Sequence, residues 1–349
     1  MPWYAFFLAP VAFMYHGITA ARNFLYDKGW IKSETGPVPT VVVGNLAVGG
    51  TGKTPWVAYL TSLLKQEVEL ALLSRGYGRK SKGFLQAKAD TTAEQLGDEP
   101  LQLWTHFQGE VPVFVGEDRV AALKRLHEII PKTRLVLLDD ALQHRRLRPQ
   151  FTLLLTTYQR PFYQDFLLPM GRLREARAGA KRADIVVVTK CPMVLDEEEK
   201  NQMKRYLAPY LGEQTKVLFS SLRYGHPYQI HGPKISTMGE VIALAGLADN
   251  LPFFTYCRST FSVLETLSYP DHHAYGEKEA SKIAQRFTAY KTQGAVLLTT
   301  EKDAVKLKSP ANSRILQEIP IFVLPIEVVL DPQDQELLLQ RLRKTLLCP

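Results

Sequence analysis

The chain has 349 residues, of which 46% are hydrophobic and 22% are charged, and its formal net charge is +8. This length allows a large core and two lobes, and the composition excludes a disordered or fibrous chain. The positive charge favours anionic partners, but it does not choose among nucleic acid, phosphorylated ligands and an acidic membrane surface. The three cysteines lie far apart, so the sequence indicates neither a disulfide framework nor a structural zinc site.

An apolar segment opens the chain, and residues 3–14 are almost wholly apolar. The segment is shorter than the roughly 20 apolar residues that a spanning helix needs. It also lacks the charged start and the cleavage site of a signal peptide. Its aromatic residues, followed by Arg22 and Lys28, suit a helix that lies on an anionic leaflet. We therefore expect residues 1–30 to form a membrane-associated helix, with a buried N-terminal helix as the alternative.

Short apolar runs then alternate with amphipathic stretches. The runs span residues 40–43, 70–73, 113–115, 135–138, 151–156 and 184–189. They are continuous rather than alternating, as expected for strands that are covered on both faces. This order predicts a doubly wound, mainly parallel α/β domain over residues 31–220. Later strand candidates and a terminal amphipathic helix predict a second, smaller α/β lobe over residues 221–349; these segments span residues 241–245, 295–299, 321–324 and 334–347.

A glycine-rich phosphate-binding loop lies between the first of these strands and a helical stretch, which is the context that such a loop requires. Its glycines let backbone amides face phosphate oxygens, and the helix N-terminus adds positive potential. Lys53 would contact the β and γ phosphates of a nucleotide, and Thr54 would bind Mg²⁺. The usual motif opens with glycine, and this loop opens with alanine. The expected nucleotide-binding residues are Ala47, Val48, Gly49, Gly50, Thr51, Gly52, Lys53 and Thr54.

A second nucleotide-site element supports this interpretation. An apolar strand over residues 135–138 ends in Asp139 and Asp140, which is the form of a Walker B strand that holds a metal ion or its water. GTPases place a guanine-reading Asn/Thr-Lys-x-Asp motif after a later strand. Here Thr189 and Lys190 are present, but Pro192 replaces the aspartate. The sequence therefore argues against a GTPase.

Polar residues follow several strands, where ligands meet α/β sheets. They lie in Ser-Arg-Gly-Tyr-Gly-Arg (74–79), Gly-Asp-Glu-Pro (97–100), Gly-Glu-Asp-Arg (116–119), Asp-Asp-Ala-Leu-Gln-His (139–144), Leu-Pro-Met-Gly-Arg-Leu-Arg-Glu (168–175), Asp-His-His (271–273) and Thr-Glu-Lys-Asp-Ala (300–304). With the P-loop, this set resembles the tetraacyldisaccharide 4′-kinases, the lipid A 4′-kinases of Gram-negative bacteria. The resemblance covers most of the chain.

The resemblance implies a two-lobed enzyme with its active site between the lobes. Asp98 matches the family's catalytic aspartate, and His272 matches the histidine that pairs with it. A carboxylate is a suitable acceptor for the proton of a sugar hydroxyl. The metal-site candidates are Thr54, Glu99, Asp139 and Asp140, whose oxygens suit Mg²⁺. The candidates for substrate contact are Asn45, Arg75, Tyr77, Arg119, His144 and Arg174, among which the guanidinium groups bind phosphate bidentately.

The implied reaction moves the γ-phosphoryl group of ATP to the 4′-hydroxyl of an acylated glucosamine disaccharide 1-phosphate, a lipid A precursor. We expect no nucleic-acid partner, and we expect the N-terminal helix to hold the enzyme at the anionic, cytoplasmic face of the inner membrane as a peripheral or monotopic protein. Two alternatives stay open: a P-loop kinase or ligase that acts on a different, soluble substrate, and a nucleotide-dependent membrane switch without phosphoryl transfer.

Overall fold

The computed structural model describes residues 7–235, 238–290 and 294–347, so the first six residues of the predicted N-terminal helix lie outside the described part. The strands are β1 (Thr40–Asn45), β2 (Leu70–Ser74), β3 (Leu85–Gln86), β4 (Val113–Val115), β5 (Leu135–Asp139), β6 (Phe151–Thr157), β7 (Ile185–Cys191), β8 (Lys216–Tyr224), β9 (Tyr228–His231), β10 (Val241–Ala245), β11 (Val263–Ser268), β12 (Val296–Thr300), β13 (Ile321–Leu324) and β14 (Ile326–Leu330). The helices are α1 (Ala9–Asp27), α2 (Lys53–Leu64), α3 (Ala93–Leu96), α4 (Asp98–His106), α5 (Arg119–Ile129), α6 (Glu197–Leu207), α7 (Leu251–Thr260), α8 (Glu277–Thr288), α9 (Glu301–Leu307), α10 (Pro310–Ile315) and α11 (Pro332–Leu347).

A nine-stranded sheet forms the first lobe, in the order β14-β8-β7-β6-β1-β5-β2-β4-β3. Its pairs are parallel except for β3 with β4 and β8 with β14, which lie at the two edges. Strands β1, β2 and β5 are buried at every residue because helices cover both faces. One face packs against α2, α4 and α11, and the other packs against α5 and α6. The predicted doubly wound α/β fold is confirmed.

A five-stranded sheet, in the order β11-β10-β12-β13-β9, forms the second lobe. Only the β9–β13 pair is antiparallel. Helix α7 covers one face with Phe253, Phe254 and Cys257, and α8 covers the other with Ala280, Ile283 and Phe287. These apolar side chains fall at helical spacing, so each helix buries one stripe. The predicted smaller α/β lobe is therefore present.

The boundary predicted for the second lobe needs a correction. The sequence analysis assigned residues 221–349 to it, but β14 pairs antiparallel with β8 in the large sheet. Leu338 and Leu342 of α11 are buried in the core of the first lobe. The chain crosses between the sheets twice, after Tyr224 and again at Pro325, where the Gly225 amide donates to the Pro325 carbonyl at 2.9 Å. Amphipathic patterns report that a face is buried, but they do not report which sheet buries it.

Helix α1 packs against the first lobe along one side only. Ala12 and Thr19 are buried, whereas Phe13, Met14 and Ile18 are 79%, 62% and 64% exposed. Within the described residues, no helix combines the length and the apolar character needed to cross a membrane. The outer face of α1 is therefore an exposed apolar surface on an otherwise ordinary α/β lobe.

Candidate active site

The phosphate-binding loop leads from β1 into α2. Gly49 and Gly52 have φ angles of +106° and +86°, a region that side chains with a Cβ rarely adopt. The Thr51 amide donates to the Gly49 carbonyl at 3.0 Å, which tightens the curl. Ala47, which stands where glycine is usual, forms an isolated antiparallel bridge with Leu173. An extended residue has no need of the glycine conformation, so alanine fits the first position of this loop.

Lys53, the first residue of α2, projects toward the end of β1. Its Nζ lies 3.4 Å from Asn45 Oδ1 and 3.8 Å from Asp140 Oδ2. Asn45 is fully buried, and its Nδ2 donates to Thr51 Oγ1 at 2.9 Å. The side chain of Asn45 thus supports the P-loop from beneath, and the predicted contact of Asn45 with the substrate stays a prediction.

Asp139 ends β5 directly beside β1, in register with Val43. Its side chain is buried, and neither carboxylate oxygen meets a hydrogen-bond donor within the described residues. Burial first, and then the nearby Glu99 carboxylate, raise the pKa of Asp139 to about 8. A buried carboxylate with both oxygens unpartnered costs free energy unless a cation or a proton neutralises it.

Asp140 follows with a φ of +51°, which turns its side chain away from the strand direction. Burial would raise the pKa of this carboxyl, but hydrogen bonds from Arg174 and the nearby Lys53 hold it below its usual range. Asp140 therefore stays ionised next to the P-loop lysine, while Asp139 has no hydrogen-bond donor among the described residues.

The predicted metal-site residues fit a hard cation. Asp139 offers two free acceptor oxygens, Glu99 lies close enough to raise its pKa, and Thr54 occupies the first turn of α2. No group of three or more His, Cys, Asp or Glu side chains suited to a metal ion occurs in the described part of the chain. Mg²⁺ ordinarily binds one or two carboxylates together with nucleotide phosphates and water, so this sparse set suits it.

Asp98 and His272, 174 residues apart, meet between the lobes. Asp98 begins α4 of the first lobe, and His272 lies in the loop after β11 of the second. His272 Nδ1 lies 3.2 Å from Asp98 Oδ2. Gly97, with a φ of +99°, allows α4 to start at this point, since a Cβ there would lie 3.2 Å from Gly76 Cα. The structure thus brings together the two residues that the resemblance paired.

The other predicted substrate residues lie in two places. Tyr77 lies beside His272, and Arg75, Arg119 and His144 lie close to one another near the end of β5. Arg119 is buried, and its Nη1 donates to the Gly116 carbonyl at 2.9 Å. Burial and the neighbouring Arg75 lower the pKa of Arg119 to about 10. Burial, and then Arg119, lower the pKa of His144. Tyr77 is 76% exposed, and its ring centroid lies 6.3 Å from that of His272. We refer to Arg75, Tyr77, Arg119 and His144 together as the basic wall, of which Tyr77 is the member beside His272.

Two cations outside the predicted set of substrate-contact residues lie over the P-loop. A Cβ placed on Gly49 would lie 3.7 Å from Arg172 Nη1, and one on Gly50 would lie 3.8 Å from Lys190 Nζ. Asp165 is buried and orders Arg172 by accepting from its Nε at 3.1 Å. Together with Lys53, these groups give the loop the positive potential that a polyphosphate needs. Lys190 comes from the strand end that resembles a guanine reader.

Comparison with known proteins places this geometry in a family. The family model described as Tetraacyldisaccharide-1-P 4′-kinase matches residues 4–344. The chain belongs to the tetraacyldisaccharide 4′-kinase family. It is 41% identical over 319 residues to the tetraacyldisaccharide 4′-kinase of Flavobacterium psychrophilum, an alignment that covers 90% of each chain. It is 40% identical over 337 residues to that of Cytophaga hutchinsonii, which covers 95% of this chain and 93% of the relative.

A solved structure agrees with this family membership. The chain is similar to LpxK from Aquifex aeolicus, whose crystal structure was obtained in complex with ATP, with a TM-score of 0.76 and 29% sequence identity. The match covers 98% of this chain and 99% of that one, so both lobes are included. The 4′-kinase family resemblance that the motifs indicated is confirmed.

Proposed function

We propose that this protein is an ATP-dependent kinase that transfers the γ-phosphoryl group of ATP to the 4′-hydroxyl of a tetraacyldisaccharide 1-phosphate, a step of lipid A biosynthesis. Membership of the 4′-kinase family supports the reaction. The observation that carries the proposal is the Asp98–His272 contact at 3.2 Å, with Glu99, the neighbour of Asp98, close to the Walker B carboxylate Asp139. A proton acceptor and a nucleotide site thus occupy one cleft.

ATP would bind with its triphosphate in the P-loop, from Ala47 to Thr54. Lys53 would contact the β and γ phosphates, and the guanidinium of Arg172 and the ammonium of Lys190 would add positive charge above the loop. Thr54, Glu99, Asp139 and Asp140 are the residues that would hold Mg²⁺ or its waters. When bound, Mg²⁺ neutralises developing charge on the phosphate oxygens.

Asp98 is the residue we assign as the proton acceptor. As the 4′-oxygen forms its bond to the γ-phosphorus, the bond from that phosphorus to the β–γ bridging oxygen breaks, and ADP leaves. The proton of the hydroxyl passes to the Asp98 carboxylate. His272 would hold that carboxylate in place and stabilise the charge as the proton moves.

The acceptor would lie along the wall formed by Arg75, Tyr77, Arg119 and His144. Arginine side chains offer paired donors to the 1-phosphate of the disaccharide. Arg174 is committed to Asp140 through two hydrogen bonds, at 3.0 and 2.6 Å, so we assign it to the nucleotide side of the cleft rather than to the sugar.

The exposed apolar face of α1 would place the enzyme on the cytoplasmic face of the inner membrane, where an acylated substrate resides. Phe13, Met14 and Ile18 give this face its apolar character, and the net charge of +8 favours an anionic leaflet. The helix would lie in the interface as a peripheral or monotopic anchor.

The test is a thin-layer assay with γ-labelled ATP and a lipid A disaccharide 1-phosphate in mixed micelles. Wild type should transfer label to the lipid, and Lys53→Ala and Asp98→Ala should lower the rate by about 100-fold or more. Lys132→Met, at the opposite end of β5 from Asp139, is the control for loss of a lysine. Label that moves only to a soluble acceptor would favour a different kinase, and nucleotide binding without any transfer would favour a switch.

A further inference from the structure

Asp303 anchors helix α9 in the core of the second lobe. This carboxylate is fully buried and accepts hydrogen bonds from the Gly246 amide at 2.9 Å, the Thr300 hydroxyl at 2.7 Å and the Tyr275 hydroxyl at 3.0 Å. A satisfied buried network of this kind holds the helix in one orientation. Lys302 and Lys306, four residues apart, therefore project from one face of a fixed helix.

Lys306 lies behind Asp98. Its side chain is only 7% exposed, and its Nζ donates to the His273 carbonyl at 3.0 Å. The same nitrogen lies 3.5 Å from Asp98 Oδ2 and 3.7 Å from Asp303 Oδ1. A buried ammonium is costly unless acceptors surround it, and here one of those acceptors belongs to the other lobe. Asp98 thus completes the coordination of a cation that the second lobe carries.

Lys302 lies against the far side of His272. Its Nζ donates to Asp271 Oδ1 at 2.6 Å and lies 3.3 Å from His272 Nε2. An ammonium group has donors only, so in a hydrogen bond with Lys302 the acceptor is Nε2 of the imidazole. Asp271 Oδ2, at 3.8 Å from Nε2, lies beyond hydrogen-bond distance. The ring proton is then on Nδ1, which faces Asp98 Oδ2 at 3.2 Å. The lysine contact therefore selects the tautomer that donates to Asp98.

We propose that Lys302 and Lys306 are positioning residues for phosphoryl transfer, an inference that rests on the proposed role of Asp98 as proton acceptor. Lys306 and the Nδ1–H of His272 both engage Oδ2 of Asp98. Within the described residues Oδ1 has no such partner. Oδ1 is thereby left for the hydroxyl of the acceptor sugar. Because the lysines and His272 come from the second lobe, the base is oriented only when the lobes are together.

The experiment compares Lys302→Met and Lys306→Met in the full chain with Lys308→Met, an exposed lysine immediately after α9. We expect kcat to fall about 10- to 100-fold for the two α9 variants. This is part of the roughly 10²- to 10⁴-fold rate enhancement that a positioned base contributes. The KM for ATP should change by less than about twofold, because neither lysine contacts the P-loop. Lys308→Met should match wild type.

Two further measurements separate positioning from a general structural role. In a His272→Ala background, Lys302→Met should lower kcat no further, since the lysine acts through the ring. Nitrogen-15 NMR of His272 in wild type should show the proton on Nδ1, and Lys302→Met should show a mixture of tautomers. The NMR measurement on wild type needs no variant, so it tests the role of Lys302 independently of whether Lys306→Met folds.

The outcomes distinguish this inference from the proposed function. Wild-type kcat in both lysine variants, additive losses with His272→Ala, or a ring proton on Nε2 would each overturn the positioning role. Undiminished transfer in Asp98→Asn would instead remove the proposed base itself. A loss in Asp98→Asn together with unchanged lysine variants would leave the kinase mechanism in place and reject the positioning role alone.

Discussion

Arg174 donates two hydrogen bonds to the carboxylate of Asp140, from Nη1 at 3.0 Å and from Nη2 at 2.6 Å. The same Nη2 also donates to the backbone carbonyl of Asn45 at 3.0 Å. One guanidinium group therefore ties the Walker B strand to the end of β1, where the P-loop begins. Paired donors to a carboxylate fix both distance and angle, which a lysine cannot reproduce.

Replacing Arg174 with lysine should therefore weaken nucleotide binding. We expect the affinity for ATP to fall about 10- to 100-fold, or about 1.4–2.8 kcal/mol, because Asp140 and Asn45 lose their common partner. Isothermal titration with ATP would measure this change. Arg148→Lys, at an exposed position, is the matched control, and equal affinities for the two variants would contradict the assigned role.

Asp139→Asn should make the nucleotide-free protein more stable and the enzyme less active. The buried carboxylate has a pKa raised to about 8 against an ordinary 3.8, so the folded state binds the proton more tightly than the unfolded state. Wild-type stability should therefore fall as pH rises from about 4 to about 8. Asp139→Asn has no carboxyl group to ionise at this position, so its stability does not fall in this way. Its free energy of unfolding should be higher than that of wild type by roughly 1–3 kcal/mol near pH 8.

Urea unfolding at pH 5 and at pH 8 would check this prediction. The gap between wild type and Asp139→Asn should be wide at pH 8 and nearly closed at pH 5. Phosphoryl transfer with Mg²⁺ should fall about 100-fold or more in the variant, since a carboxylate that we propose to hold Mg²⁺ is lost. Asp184→Asn, which alters a half-buried carboxylate just before β7, at the opposite end of the strands from Asp139, should retain ATP binding. A destabilised Asp139→Asn at pH 8 would refute the argument.

The apolar face of α1 gives a third prediction. Phe13→Ser with Ile18→Ser should reduce binding to anionic phospholipid vesicles about 10-fold or more, because each exposed side chain contributes on the order of 1–2 kcal/mol when it leaves water. Activity on a micelle-dispersed acceptor should change little. Sedimentation with vesicles measures the binding, and Val194→Ser, which alters an exposed valine of the β7–α6 loop, is the control.

Surface substitutions test this face more cleanly than removal of residues 1–26. The Tyr15 hydroxyl donates to the Arg174 carbonyl at 2.7 Å, and Asn23 Nδ2 donates to Glu175 Oε2 at 3.0 Å. A truncated chain would therefore lose contacts to the loop that holds Asp140. Unchanged vesicle binding in the double serine variant would contradict the proposed role of α1 in membrane binding.

Asp165→Asn should lower the free energy of unfolding at neutral pH, and this effect should disappear in acid. Burial would raise the pKa of Asp165, but the Phe166 and Arg172 amides and the guanidinium groups of Arg172 and Arg160 hold it below its usual range. The carboxylate therefore stabilises the fold above the unfolded pKa near 3.8, and this contribution is lost as pH falls through the lower folded value. At pH 7 the variant should be less stable by about 2–3 kcal/mol.

Urea unfolding across pH 3 to 7 would measure this difference. The advantage of wild type over Asp165→Asn should stay constant from pH 7 to about pH 5 and shrink below about pH 4. Because Arg172 loses its anchor, the affinity for ATP should also fall. A constant stability difference down to pH 3 would show that the charge of Asp165 is not what stabilises the loop.

The sequence by itself determined the elements whose structure follows from the residues within them. The continuous apolar runs at Thr40 and Leu135 became fully buried strands, as is typical of short, β-branched apolar runs in a sheet that is covered on both faces. The P-loop could be predicted from its glycines, because few other residues adopt the positive φ angles that Gly49 and Gly52 have.

Only the tertiary structure decided which distant segments meet. No periodicity in the chain shows that β14 returns to the first sheet, that Asn45 is buried beneath the P-loop, or that Lys302 and Lys306 face the Asp98–His272 pair. Local propensity depends on neighbours along the chain. A contact across 174 residues depends instead on how the two lobes pack against each other, which no local pattern records.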